Sequence, residues 1–200
     1  LLCERSDFID GLLTASWRFY MAELSERFSL LAVGGYGRRE LFPYSDVDFV
    51  ILLDSSDIEH AKEQLTGFLT FLWDIGLKPG HSVRTVAECV TAADDDQTVM
   101  TSLMENRLIT GNPYLHEDLQ NQITPDKIWP SGQFFGAKME EQRQRYAKYH
   151  DTAYNLEPNI KEGPGGLRDM QVISWVFKRH YNSATLRELI QHGFLPEDEY

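Results

Sequence analysis

Apolar positions along the chain change period several times. Phe8, Ile9, Leu12, Leu13, Phe19, Tyr20 and Leu24 recur near helical spacing with charges between them, which predicts a helix over 7–28. Leu30, Leu31, Ala32 and Val33 then form a short unbroken apolar run that stops at Gly34-Gly35, the pattern of a buried strand ending in a flexible turn. Pro43 breaks any helix begun after the glycines. Val47, Phe49, Val50, Ile51, Leu52 and Leu53 predict a second strand, stopped by Asp54-Ser55-Ser56-Asp57. Ile58, Ala61, Leu65, Phe68, Leu69, Leu72 and Ile75 share one helical face, and Gly76 stands where a C-terminal cap belongs. Pro79-Gly80 turns the chain, and His81 to Val86 alternates as a third strand. Asp94-Asp95-Asp96 precedes a helix through Leu103, Met104 and Leu108 that ends near Gly111.

Helix and strand thus alternate over residues 1–112, which predicts one domain built on a small sheet. Gly111, Pro113, Pro125, Pro130 and Gly132 mark 113–132 as a connector. Beyond it the period is helical throughout. Phe135 to Tyr154 reads as a long charged helix, Asn159 to Gly166 as a Gly/Pro-rich loop, Leu167 to Tyr181 as a further helix, and Leu186 to Ile190 as the start of another. Residues 133–200 are therefore expected to be the start of an all-helical domain. The first residue is Leu1 and the helical part has no evident close, so the chain is expected to be a piece of something longer.

Composition narrows the class. Apolar residues make up 42% and aromatics 12%, enough for a packed core and against disorder throughout. No apolar run approaches the ~18 residues of a membrane span, and the N-terminus lacks a signal-peptide layout, so no membrane partner is expected. With 19 basic and 31 acidic residues the formal charge is −12. A chain so acidic is a poor general binder of nucleic acid, and any anionic ligand must be met by a local cluster of donors or a cation. Cys3 and Cys89 have no metal-ligand spacing and read as two reduced thiols of a cytoplasmic protein.

The chemistry concentrates in GGYGRRELFPYSDVDF, residues 34–49. Asp46 and Asp48 are two apart at a strand start, so their carboxylates share one side. Like charges side by side call for a cation between them, and a hard divalent ion such as Mg²⁺ takes one or two carboxylates plus substrate phosphates. Gly34 and Gly35 let backbone N–H groups approach a phosphate, and Arg38-Arg39 follow with guanidinium groups suited to bidentate contacts. This is not a P-loop, because Gly37 is followed by arginines where Lys-Ser/Thr is required. It is not a dinucleotide fingerprint either, because Glu40 stands where the third glycine belongs.

The Gly-Gly turn followed by Asp-x-Asp resembles the signature of the DNA polymerase beta superfamily of nucleotidyltransferases. The longer strings GGYGRREL and PYSDVD are similar to the N-terminal domain of the bacterial protein-PII uridylyltransferases, also called uridylyl-removing enzymes. NIKEGPGGLRDMQ at 159–171, HSVRT at 81–85 and DTAYNLEPN at 151–159 resemble the same family. The fold class this implies is α+β: a small mixed-sheet, polymerase-beta-like domain followed by a helical domain. The activity it implies is transfer of UMP from UTP to a tyrosine of the PII signalling protein, with Mg²⁺ or Mn²⁺ and release of pyrophosphate. By motif position Asp46 and Asp48 would be metal ligands, and Gly34, Gly35 and Arg38 would hold phosphates. Lys161 and Arg168, flanking the second glycine string, would add to the nucleotide site, with Asp169 opening the next helix. Uridylyl removal and glutamine sensing would lie outside these residues.

The resemblance leaves some roles open. The superfamily usually supplies a third carboxylate from a neighbouring strand, yet His81-Ser82-Val83-Arg84-Thr85 holds no acid; Glu88 and Glu105 are the candidates, and the general base is unassigned. Gly163 to Gly166 could equally be a simple interdomain turn, with Asp169 a first-turn helix charge. His150-Asp151 lacks the spaced ligands of a hydrolase site and reads as structural; Asp94-Asp95-Asp96 reads as a solvated helix start and His81 as a structural group. Two other functions fit the same residues: an adenylyl-transferring relative with another protein acceptor, and a non-catalytic nucleotide-binding module.

Overall fold

The computed structural model describes residues 1–54, 58–149, 157, 159–182, 190, 193 and 196–198; the side chains of 58–60 lie outside that set. The chain divides into two compact units, Leu1–Ile123 and Thr124–Tyr200.

The first unit is α+β. Helix α1 (Leu2–Tyr20) is followed by a single 3-10 turn, Ala22–Leu24, and by strand β1 (Phe28–Ala32). A one-turn helix α2 (Gly34–Gly37) leads to β2 (Val47–Leu53), α3 (Ile58–Asp74) and β3 (Pro79–Thr85). Helices α4 (Val86–Asp95) and α5 (Gln97–Met104), strand β4 (Arg107–Gly111) and helix α6 (Pro113–Gln122) complete it. The sheet order is β3-β2-β1-β4, with β1 antiparallel to β2 and β4 and β2 parallel to β3. The small mixed sheet expected from the resemblance is present.

β1 is buried at every position and β2 at all but Asp48, which explains their unbroken apolar runs: both faces of these central strands are covered. Phe28, Leu30, Ala32, Phe49, Ile51 and Leu53 face α1 and α3 and join Leu13, Trp17, Phe68 and Leu72 in one core. The Trp17 and Phe68 rings meet edge to face with centroids 5.4 Å apart. Helices α4 and α6 lie against the sheet as well, with Cys89 and Leu119 fully buried. Burial pushes the Cys89 thiol up to about 11, so it stays a neutral thiol; Cys3 is exposed and both cysteines are free.

Several expectations need correction. The first helix stops at Tyr20 rather than Phe28, because Met21 leaves helical geometry and is itself fully buried. Phe28 instead opens β1. The helix expected through Leu108 is two helices and a strand. Asp96 caps α5 by accepting from the Thr98 amide at 2.7 Å, α5 ends at Met104, and Arg107–Gly111 pairs with β1 across a bulge. A five-residue edge strand is too short for period to distinguish it from a helix turn. The segment 113–132, expected as a connector, contains α6. Asn112 caps it, Pro113 opens it, and Leu119 anchors it in the first unit.

The described part of the second unit contains helices α7 (Ser131–Lys148) and α8 (Leu167–Tyr181), which pack on each other. Arg179 is buried and donates to the main-chain carbonyls of Thr124, Ile128 and Trp129, pinning the incoming chain to α8. His150-Asp151 and the helix start expected at 186–190 fall on residues outside the described set, Ile190 excepted.

Candidate active site

The site begins where β1 ends. The Val33 amide donates to the Asp48 carbonyl at 3.0 Å, which holds the last residue before the glycine turn beside the first turn of β2. Gly34 then adopts φ +58°, a conformation that L side chains rarely take, and redirects the chain into α2. No side chain caps α2: Val33 occupies the cap position in extended geometry, and its apolar side chain has no acceptor to offer the first-turn amides. The first-turn amides of a helix have no acceptor within it, so Gly34, Gly35 and Tyr36 present N–H groups at this end of the sheet. A Cβ built on Gly35 would meet only ordinary contacts, the Glu40 carbonyl oxygen at 3.6 Å and Arg38 Nη2 at 3.8 Å, so packing does not require glycine there. At Gly37 the reverse holds. A Cβ would lie 1.7 Å from the Glu105 carbonyl oxygen, so the underside of the turn seats on α5's end.

Arg38 folds back over the turn, its Nη2 3.8 Å from where a Gly35 Cβ would be. Its Nε donates to Glu40 at 2.8 Å, leaving the outer guanidinium nitrogens to point elsewhere. Glu40 is thus an orienting partner that the motif did not single out.

Asp48 is half-buried on β2, in register with Gly80 of β3. A Cβ on Gly80 would fall 2.1 Å from Asp48 Oδ1, so the missing side chain makes room for the carboxylate. Asp46 is exposed and stands one residue before the ladder begins with Val47, whose amide donates to the Lys78 carbonyl at 3.1 Å. The sheet therefore brings Gly34, Gly35, Arg38, Asp46 and Asp48 to one end of the first unit.

The two candidates for a third acid separate. Glu88 closes a capping box with Thr85: its Oε2 accepts from the Thr85 amide at 2.7 Å and from the Thr85 hydroxyl at 3.0 Å. These bonds hold its carboxyl below the usual range. It also follows Thr85, which pairs with Leu53, so it lies at the far end of β3 from Gly80 and Asp48. Glu105 sits at the glycine-turn end and is buried. Among the described residues no cluster of three or more His, Cys, Asp or Glu is arranged to hold a metal. His81 packs edge-on to Trp73 and beside Phe49 at 5.8 and 6.0 Å, as a structural histidine does.

Lys161 and Arg168 belong to the second unit, and there the glycine string engages itself. The amides of Leu167 and Arg168, at the start of α8, donate to the carbonyls of Ile160 and Lys161, each at 2.9 Å. Arg168 donates to Glu162 and Gln171, each at 3.0 Å, and stacks on Trp175; Lys161 is exposed. Asp169 is the centre of the group. It accepts from the Gly165 amide at 2.7 Å, from Gln142 at 3.0 Å, and from Arg145 and Tyr146 of α7. Burial pushes its carboxyl upward, but the hydrogen bonds outweigh burial and hold it below the usual range. Its role is larger than that of a first-turn charge.

A mixed four-stranded sheet, with a glycine turn leaving one strand beside a carboxylate pair at the start of its antiparallel neighbour, fits a nucleotidyltransferase-like domain. The comparisons with known proteins agree. A family model described as GlnD PII-uridylyltransferase matches residues 133–200. A bifunctional uridylyltransferase/uridylyl-removing enzyme of Methylococcus capsulatus is 52% identical over 200 residues, all of this chain and 23% of that protein. Proteins of the same name from Ectopseudomonas mendocina and Nitrosococcus oceani are 50% identical over 200 residues and 52% over 191; the matches cover 100% and 96% of this chain and 22% and 21% of theirs. By sequence, then, the chain belongs to the family of bifunctional uridylyltransferase/uridylyl-removing enzymes. It spans less than a quarter of the length of these curated relatives.

Proposed function

We propose that the first unit transfers UMP from UTP to a tyrosine of the PII signalling protein, in the cytoplasm, with release of pyrophosphate. The observation that carries this is the Val33–Asp48 hydrogen bond, which sets an uncapped glycine turn beside a carboxylate pair. In the transfer the tyrosine oxygen bonds to the α-phosphorus, the bond to the bridging oxygen of pyrophosphate breaks, and the phenolic proton leaves to a base. The Gly34 and Gly35 amides and the Arg38 guanidinium would donate to phosphate oxygens as charge shifts toward pyrophosphate. Asp46 and Asp48 would hold Mg²⁺ or Mn²⁺; the recess at Gly80 that admits the Asp48 carboxylate supports that fit. The ion would supply charge neutralisation along the triphosphate. Among the described residues no helix is long and apolar enough to cross a membrane.

Labelled UTP, ATP, CTP and GTP, each with and without PII, test the reading on the intact protein. Label appearing on PII from UTP alone is the expected result. Transfer from ATP to another protein would replace it with the adenylyl-transferring alternative, and binding without turnover would replace it with a regulatory module. Uridylyl removal is assigned to sequence outside this chain.

A further inference from the structure

One buried network touches the glycine turn without facing its open side. Tyr36, the third residue of α2, is 1% exposed, and its hydroxyl donates to Asp10 Oδ1 of α1 at 2.5 Å. Arg107 of β4 grips the same carboxylate with two bonds, Nη1 to Oδ2 at 2.7 Å and Nη2 to Oδ1 at 3.0 Å. Its guanidinium also lies 5.6 Å from the Tyr36 ring centroid, and its Nε reaches toward the Gly37 carbonyl at 3.4 Å. Burial first, and then the bond to Asp10, push the Tyr36 phenol far up, so it remains a protonated donor. Two elements distant in sequence, α1 and β4, therefore converge on the four-residue turn α2.

We propose that Asp10, Tyr36 and Arg107 are positioning residues that fix the backbone of the glycine turn for the triphosphate. The proposal rests on the nucleotidyl-transfer reading above. Amides bind phosphate tightly only when their orientation is set before the ligand arrives, because orienting them afterwards costs part of the binding energy. Gly34 and Gly35 have no side chains with which to fix their own orientation. Tyr36 is the next residue, and its anchored ring and hydroxyl hold the peptide planes on its N-terminal side. Gly37 seats on the Glu105 carbonyl below. The bidentate Arg107 pair is largely shielded, with side-chain exposures of 22% and 19%, so solvent screens it far less than the outer pair. That outer pair, Asp7 with Arg39 at 2.9 Å, is about half exposed at each partner.

The test measures equilibrium binding of Mg–UTP to the intact protein, together with steady-state transfer and melting. Tyr36→Phe keeps the ring and the Asp10–Arg107 pair and removes only the hydroxyl. Its Kd and KM for UTP are expected to rise about tenfold, the scale of one hydrogen bond to a charged group. Asp10→Ala should raise them further and Asp10→Asn less, since the amide oxygen still accepts. Asp7→Asn should leave both within about twofold, as for an exposed pair. If Tyr36→Phe melts lower but binds Mg–UTP as the wild type does, the network only packs the core and the proposal falls while the functional reading stands. If the wild type itself fails to bind Mg–UTP, the reading falls and the proposal with it.

Discussion

Two glycine-rich strings, GGYG at 34–37 and GPGG at 163–166, each stand at or just before the start of a helix and beside an arginine. In the first, no side chain caps the helix, Arg38 is steered across the turn by Glu40, and a side chain at Gly35 would meet only ordinary contacts. In the second, carbonyls of Ile160 and Lys161 accept from the opening amides of α8, Asp169 accepts from Gly165, and Arg168 turns to Glu162. The first string's opening amides have no side-chain cap, and the second spends its donors on its own loop. A glycine count therefore does not identify a phosphate site; the fate of the amides does.

The contrast breaks most sharply at the carboxylates beside the first string. Asp46→Asn and Asp48→Asn should each lower transfer by about a thousandfold or more, the scale seen when one charge-stabilising group is removed. Unchanged circular dichroism with near-normal Mg²⁺-dependent transfer would overturn their assignment.

Gly35 and Gly37 sharpen it next. Gly37→Ala drives a Cβ into the Glu105 carbonyl, so the folded state should lose about 1–3 kcal/mol, read from the denaturant midpoint. Gly35→Ala meets only ordinary contacts and should fold normally, yet weaken UTP binding by obstructing phosphate approach. Equal destabilisation by the two variants would erase the distinction between the seated and the open side of the turn.

At the second string the expected effect is on stability and its pH dependence. The Asp169 carboxyl is held below its unfolded value, so its contribution is fully present above about 3.9, the ordinary Asp value, and is lost as pH falls through the lower folded value. Asp169→Asn should lower stability at neutral pH and flatten this acid limb, followed by hydrogen exchange in α8. The smallest effect belongs to Arg168→Ala. Its pair with Glu162 is partly exposed, so the loss should stay within about 1 kcal/mol, with UTP affinity changed less than about twofold. A tenfold loss of affinity would return the second string to the nucleotide site.

The central strands were legible because β1 and β2 are buried on both faces, which leaves an unbroken apolar signature in 30–33 and 49–53. Of the two carboxylates expected to share a strand face, Asp48 lies on β2, whereas Asp46 stands one residue before it, so period two does not fix its side. β4 was not legible, since Arg-Leu-Ile-Thr-Gly satisfies a helix turn as well as an edge strand. With β4 unread, Arg107 had no neighbour in view, and neither did its partners Asp10 and Tyr36. Glu88 could be read as an acid near the third strand, but only the register showed that it caps α4 at the wrong end.

Arg107 and Asp10 are 97 residues apart along the chain. Contacts that close so long a loop form late in folding, because the entropy of closure must be met before the contact stabilises anything. During synthesis β1, α2 and β2 emerge well before β4. The glycine turn therefore stays unbraced until the ribosome has delivered Arg107. On the proposed reading, the order of manufacture sets a minimum length below which a nascent chain holds every motif residue of the first string and would still lack the brace for a triphosphate.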